Sequence, residues 1–337
     1  MVTNKVLWIT LDATPLSLWG CYGNLQGWTP FLDALAANGV LFDEYYFTGL
    51  RGEESAKRPR WAECMRRCGG VADFISAESA NKVSRTDRTF WGDLERRLGD
   101  AIRSTGESDR PGLIACQLPE LSGECSEVDD EDSEPESPPP RGFPYELLSE
   151  DERTGVIQDL VFLDEWLGKI HGSWDEATDE GTNSWFIVTA ARGQSFPFVE
   201  DTEHPGPPEL ARHVPLLICN GSGKPAGERV RGLTCGLELE SAMMGLHAGE
   251  EAGADEWRKF LRGEIPAEKK SLVWRDPHGD PVLRTPEGML VEGESRQVFH
   301  LPEDRWGLQD VSHSEEELTE RLQGELRKKL AGEETGT

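Results

Sequence analysis

The sequence predicts an α/β protein with one mostly parallel central sheet and helices on both of its faces. Short, nearly continuous apolar runs recur at residues 6–11, 71–75, 113–118, 185–189 and 215–219. Runs of this length and composition suit strands covered on both sides. Segments with apolar residues at helical spacing alternate with them, which implies right-handed crossovers between neighbouring parallel strands. The third observation is local: a strand, a loop and a capped helix follow one another directly near the start of the chain.

In that opening stretch Val6, Leu7, Trp8, Ile9, Thr10 and Leu11 form the strand and Asp12 closes it. A carboxylate at the C-terminal end of a parallel strand lies on the sheet edge where open α/β folds bind ligands, so Asp12 is the first candidate for chemistry. Gly20-Cys21-Tyr22-Gly23-Asn24 reads as a turn. Thr29 is placed to cap the next helix, Pro30 suits its first position, Leu32, Leu35 and Ala36 give it an apolar face, and Gly39 ends it. Residues 40–47 read as a second strand.

Farther on, residues 60–68 suit a helix, which Gly69-Gly70 breaks. Phe90, Leu94, Leu98 and Ile102 mark an amphipathic helix, and Val156, Leu160, Leu163, Leu167 and Ile170 trace one face of a longer one. Leu318, Leu322, Leu326 and Leu330 supply the last. Between residues 120 and 141 the composition shifts to Glu, Asp, Ser and Pro, with almost nothing to bury. This segment reads as a disordered, solvated surface loop. Binding calcium or a basic partner there would first have to order flexible carboxylates.

Acidic residues number 63 against 35 basic ones, a formal net charge of -28. Such a surface repels nucleic acid and acidic membranes, which leaves a protein or a small molecule as the expected partner. The first residues enter a strand with no signal-peptide pattern, and no apolar run is long enough to span a bilayer, so the expected location is the cytoplasm. Seven cysteines without regular spacing read as reduced thiols. Cys64 and Cys68 stand at helical spacing, but no His or Cys nearby in sequence completes a metal set, so a plain helix turn is the simpler reading.

Leu7-Trp8-Ile9-Thr10-Leu11-Asp12, Trp19-Gly20-Cys21-Tyr22-Gly23-Asn24, Thr29-Pro30-Phe31-Leu32-Asp33-Ala34-Leu35-Ala36 and Gly39-Val40-Leu41-Phe42 resemble the opening of the sulfatase family, in the alkaline phosphatase superfamily. The resemblance continues in patches. The stretch from Val161 to Ile170 is similar to the helix before the family's second metal-binding strand. Val214-Pro215-Leu216-Leu217-Ile218 is similar to its Val-Pro-Leu strand, with His213 where an Arg is usual. Leu283-Arg284-Thr285-Pro286 and the stretch from Val298 to Asp310 resemble its small C-terminal subdomain. The resemblance implies a sulfatase-like α/β domain over residues 1–275 and a small subdomain over residues 276–337.

It also implies cleavage of sulfate or phosphate esters by a covalent nucleophile beside a divalent metal held by carboxylates. The family's Cys/Ser-Xaa-Pro-Xaa-Arg nucleophile box, expected after Phe47, is missing, and Ser55 is its nearest imitation. Where the family has Asp-His-Gly or Asp-Asn-Gly after the strand ending at Thr189, this chain has Ala190-Ala191-Arg192-Gly193. Glu120-Leu121-Ser122 stands where a Pro-His pair often follows the third strand, and the family's Lys-Xaa-Xaa-His is absent. Asp12 alone remains of the metal ligands, and one carboxylate is not a calcium or magnesium site. The expectation is a catalytically degenerate member that acts through binding, with no cofactor and a vestigial Asp12. The alternative is an active calcium- or magnesium-dependent ester hydrolase with a rebuilt site, drawing on Ser55 or on Glu53, Glu54, Asp201, Glu203 and His204 in loops at the same sheet edge.

Overall fold

The computed structural model describes residues 3–47, 70–76, 82–122, 150–178, 183–193, 212–221, 227–248, 251–264, 271–276, 278–304 and 309–334. The expected helix at residues 60–68, the cysteine pair Cys64 and Cys68, and all but the first three residues of the acidic segment lie outside the described residues.

Strand β1 (Asn4–Thr14) is the axis of the main sheet. Two short 3-10 turns, Leu16–Leu18 and Gly20–Tyr22, lead from it to helix α1 (Pro30–Asn38). The single strand expected over residues 40–47 is two: β2 (Val40–Phe42) and β3 (Tyr45–Tyr46). They belong to different sheets, and the polar pair Asp43-Glu44 turns the chain between them. Then follow β4 (Val71–Ser76), α2 (Arg88–Glu107), β5 (Gly112–Gln117), α3 (Glu150–Ala177), β6 (Asn183–Gly193), β7 (Leu216–Asn220), β8 (Glu228–Val230) and β9 (Thr234–Cys235). Helices α4 (Gly236–Ala248) and α5 (Glu251–Leu261) precede the antiparallel strands β10 (Leu272–Arg275), β11 (Pro281–Thr285), β12 (Gly288–Val291) and β13 (Gln297–His300), and α6 (Glu316–Glu334) comes last.

The main sheet has seven strands in the order β4-β5-β1-β6-β7-β2-β8. All five apolar runs are in it, and β1 pairs parallel with both β5 and β6. Strand β7 alone runs against the rest, antiparallel to β6 and to β2. An antiparallel neighbour needs no crossover helix. Helices cover both faces, as two adjacent residues of β6 demonstrate, because successive strand side chains point to opposite sides. The Trp185 ring meets Trp257 of α5 at 5.1 Å, whereas Phe186 meets His171 of α3 at 4.8 Å.

Local chemistry explains the opening helix differently from the sequence reading. Thr29 makes no side-chain capping bond. Its hydroxyl instead accepts the Gly20 N–H at 2.8 Å and donates to Asp33, while Asp164 from α3 accepts the N–H groups of Phe31 and Leu32, both at 2.9 Å. Gly39 follows the last helical residue in an extended conformation. A Cβ there would approach the Ile218 carbonyl oxygen to 2.6 Å, so close packing on β7 is what requires the glycine.

The small sheet is a four-stranded meander that begins at Leu272. Leu283, Leu290 and Val298 pack on Leu318, Leu322 and Leu326 of α6. Its other face, with Trp274, Val282, Met289 and Phe299, packs on Tyr46, Leu233 and Cys235. No helix among the described residues is long and apolar enough to cross a membrane.

Candidate functional site at the edge of the main sheet

Both central strands run past their apolar cores. Strand β1 continues through Asp12 to Thr14, and β6 continues through Ala191 and Arg192 to Gly193, with Ala13 opposite Arg192 and Thr14 opposite Gly193. Asp12 therefore does not close its strand, and Arg192 does not begin a loop. Parallel pairing to the last residue holds both side chains at the C-terminal edge of the sheet, the edge where open α/β folds bind ligands.

A third strand brings the next group. Strand β5 pairs with β1 as far as Gln117 opposite Thr10, and the Leu118 N–H donates to the Thr10 carbonyl at 2.8 Å. That register delivers Glu120 to the same edge. The segment before α2 lies alongside, because the Val83 N–H donates to the Glu120 carbonyl at 2.9 Å and the Ser122 N–H to the Val83 carbonyl at 3.1 Å. Lys82 is positioned by these backbone bonds.

The four side chains form one line of alternating charge. Arg192 Nη2 donates to Asp12 Oδ2 at 2.9 Å and to Glu120 Oε2 at 2.5 Å, and Lys82 Nζ stands 2.9 Å from Glu120 Oε1. Burial opposes ionisation of Glu120, but the Lys82 hydrogen bond and the charge and hydrogen bond of Arg192 outweigh it, so its carboxyl sits below the ordinary glutamate range. Burial likewise works against the Arg192 charge and loses to the hydrogen bonds and charges of Asp12 and Glu120, which hold the guanidinium protonated. Of these four, sequence reading singled out Asp12 for chemistry and noted Arg192 and Glu120 only as departures from the family pattern. Lys82 it missed, since only the bridge between Val83 and Leu121 brings that residue to the edge.

These residues do not fit a hard divalent cation. Among the described residues no group of three or more His, Cys, Asp or Glu is arranged to hold a metal. Asp12 and Glu120 already share a guanidinium nitrogen, and a second positive charge at that point would be repelled. Ala191 has no donor atom. The other candidates, Ser55, Glu53, Glu54, Asp201, Glu203 and His204, lie outside the described residues. His213 is part of a packing contact: its ring stacks on Tyr46 at 4.9 Å and its Nε2 is 2.7 Å from the Asp43 carbonyl oxygen.

No family model and no curated protein matches the chain by sequence. Solved structures do match. A 2-O GAG sulfatase superposes with a TM-score of 0.72 at 16% identity, over 99% of this chain and 92% of its own. A putative sulfatase from Bacteroides thetaiotaomicron gives a TM-score of 0.70 at 16% identity, over 97% and 91%. The phosphonate monoester hydrolase of Agrobacterium radiobacter gives 0.64 at 17% identity, over 98% and 95%. With its mostly parallel central sheet, flanking helices and small antiparallel C-terminal sheet, the chain has the fold of these sulfatases and of the phosphonate monoester hydrolase.

Proposed function

We propose that this chain is a sulfatase-fold protein that has kept the scaffold, given up ester hydrolysis, and acts by binding a protein or a small molecule. The observation that carries the reading is the Arg192 guanidinium, bonded to both Asp12 and Glu120 at the sheet edge. Hydrolysis of a sulfate or phosphate ester in this fold needs a cation to neutralise the ester oxygens and a nucleophile beside it. Here a fixed positive side chain occupies the carboxylates, and no nucleophile box follows Phe47. The net charge of -28 supports a partner other than nucleic acid or an acidic membrane.

The test is a panel of aryl sulfates, phosphate monoesters and phosphonate monoesters, assayed with calcium, magnesium, manganese or zinc, together with metal analysis of the purified protein. The expected result is no turnover above buffer and no stoichiometric metal. Saturable turnover that Asp12→Ala abolishes would reverse the reading and make the chain a hydrolase with a rebuilt site.

A further inference from the structure

The two edges of the main sheet are built differently. Strand β8 closes one side with three residues, of which Glu228 and Arg229 are exposed. A short, charged edge of this kind resists pairing with another chain. Strand β4 closes the other side with six residues, among which Asp73 is the only charge and proline is absent. The Val71 N–H donates to the Pro111 carbonyl at 3.0 Å, so Val71, Asp73 and Ile75 turn their backbone groups toward β5. Ala72, Phe74 and Ser76 turn theirs outward, and among the described residues nothing pairs with that side. All three are partly exposed. Residues 70–119, which include β4, α2 and β5, carry 7 basic and 8 acidic side chains, so this side is nearly neutral in a chain of net charge -28.

We infer that the outer edge of β4 is a self-association surface, and that its occupant is β4 of a second copy of this chain, paired antiparallel about a twofold axis at Phe74. In that register Phe74 faces the partner's Phe74 and Ala72 faces the partner's Ser76, so every outward N–H and C=O group of the three residues finds a counterpart. Asp73 faces the partner's Ile75, and the one charge of the strand never meets its own copy. The opposed phenyl rings add a cross-strand aromatic pair. Helix α2 lies over β4 and β5. With strands about 4.8 Å apart, the two copies of α2 run antiparallel about 10 Å from each other, an ordinary packing distance for helices. The exposed side chains of Asp93, Arg96, Arg97, Asp100 and Arg103 give that helix both signs of charge, so the contact is not repulsive. A basic strand from a different protein would suit the acidic remainder of the chain, but not this nearly neutral side. Its self-complementary register singles out a second copy.

Sedimentation velocity over a concentration series should show wild type moving from 37.5 kDa to twice that mass. Ser76→Pro removes an outward N–H that bonds no described residue, and should shift the midpoint to a several-fold higher concentration. Phe74→Lys opposes two like charges on the axis and should abolish the dimer. Residues opposed in a hydrogen-bonded antiparallel pair have Cα atoms about 5.5 Å apart, within reach of a disulfide. Phe74→Cys should therefore cross-link to dimers under a mild oxidant, whereas wild type and Glu228→Cys, on the guarded edge, stay monomeric on a non-reducing gel. If Phe74→Lys does not fold, Ser76→Pro and Phe74→Cys carry the test. Wild type that remains at 37.5 kDa at every concentration overturns the inference. So does a dimer that neither Ser76→Pro nor Phe74→Lys weakens, or that Phe74→Cys does not cross-link.

Discussion

Asp164 accepts the backbone N–H of Leu32 at 2.9 Å, so the residue that caps the first helix comes from another helix, 132 positions along the chain. With its second oxygen on the Phe31 N–H, the nearly buried carboxylate satisfies two of the donors that a helix start leaves open. Asp164→Ala should therefore cost about 2–3 kcal/mol in urea unfolding. Thr29→Ala should cost only about 1 kcal/mol, since the Thr29 hydroxyl serves Gly20 rather than the helix. Equal losses for the two would return the capping role to Thr29.

The charge line at the sheet edge should leave a signature in acid. Glu120 ionises below the ordinary glutamate range in the folded chain. A group with a depressed folded pKa contributes stability above its unfolded value, about 4.3, and loses it as the pH falls through the folded one. Glu120→Gln should lower stability by roughly 0.2–1 kcal/mol at pH 7. Melting curves of wild type and variant should converge below the folded pKa of Glu120. A difference that persists unchanged in strong acid would trace to packing instead.

Arg284 joins the small sheet to the main domain. It is 4% exposed, donates Nε to the Tyr46 hydroxyl at 3.0 Å and Nη2 to Glu44 at 2.8 Å, and lies over the Tyr46 ring. Removing one member of such a pair strands the other, and because Glu44 is partly exposed the loss expected for Arg284→Ala is about 3 kcal/mol. Arg284→Lys keeps the charge but cannot reproduce the planar fork, so it should recover only part of that. Full recovery by lysine would argue that charge alone holds the contact.

Helices α4 and α5 meet at a glycine pair. A Cβ on Gly253 would lie 2.0 Å from the Gly245 carbonyl oxygen. Overpacking of about 1–3 kcal/mol should outweigh the roughly 1 kcal/mol that alanine gains over glycine within a helix, so Gly253→Ala should lower the melting temperature. Gly172→Ala is the opposite case. Its Cβ would meet nothing within 4 Å, and the same change there in α3 should stabilise the protein by up to about 1 kcal/mol.

Read alone, the sequence determined five of the seven strands of the main sheet, the buried faces of the helices at Leu94, Leu98 and Ile102 and at Leu160, Leu163 and Leu167, and the position of Asp12 at the C-terminal end of the first strand's apolar run. These follow from periodicity, which reports how each short segment divides its residues between core and water. The reversed direction of β7, the split of β2 from β3 and the extension of β1 and β6 beyond their apolar runs were decided in three dimensions, by which strand finds which partner. The same holds for every polar contact that matters at the site. Arg192 and Asp12 are 180 residues apart and Arg192 and Glu120 72 apart, and they meet because two strand registers align to within a residue. Slipping either register by one position turns the side chains to the opposite face, and nothing in the local composition around Asp12, Glu120 or Arg192 encodes that alignment.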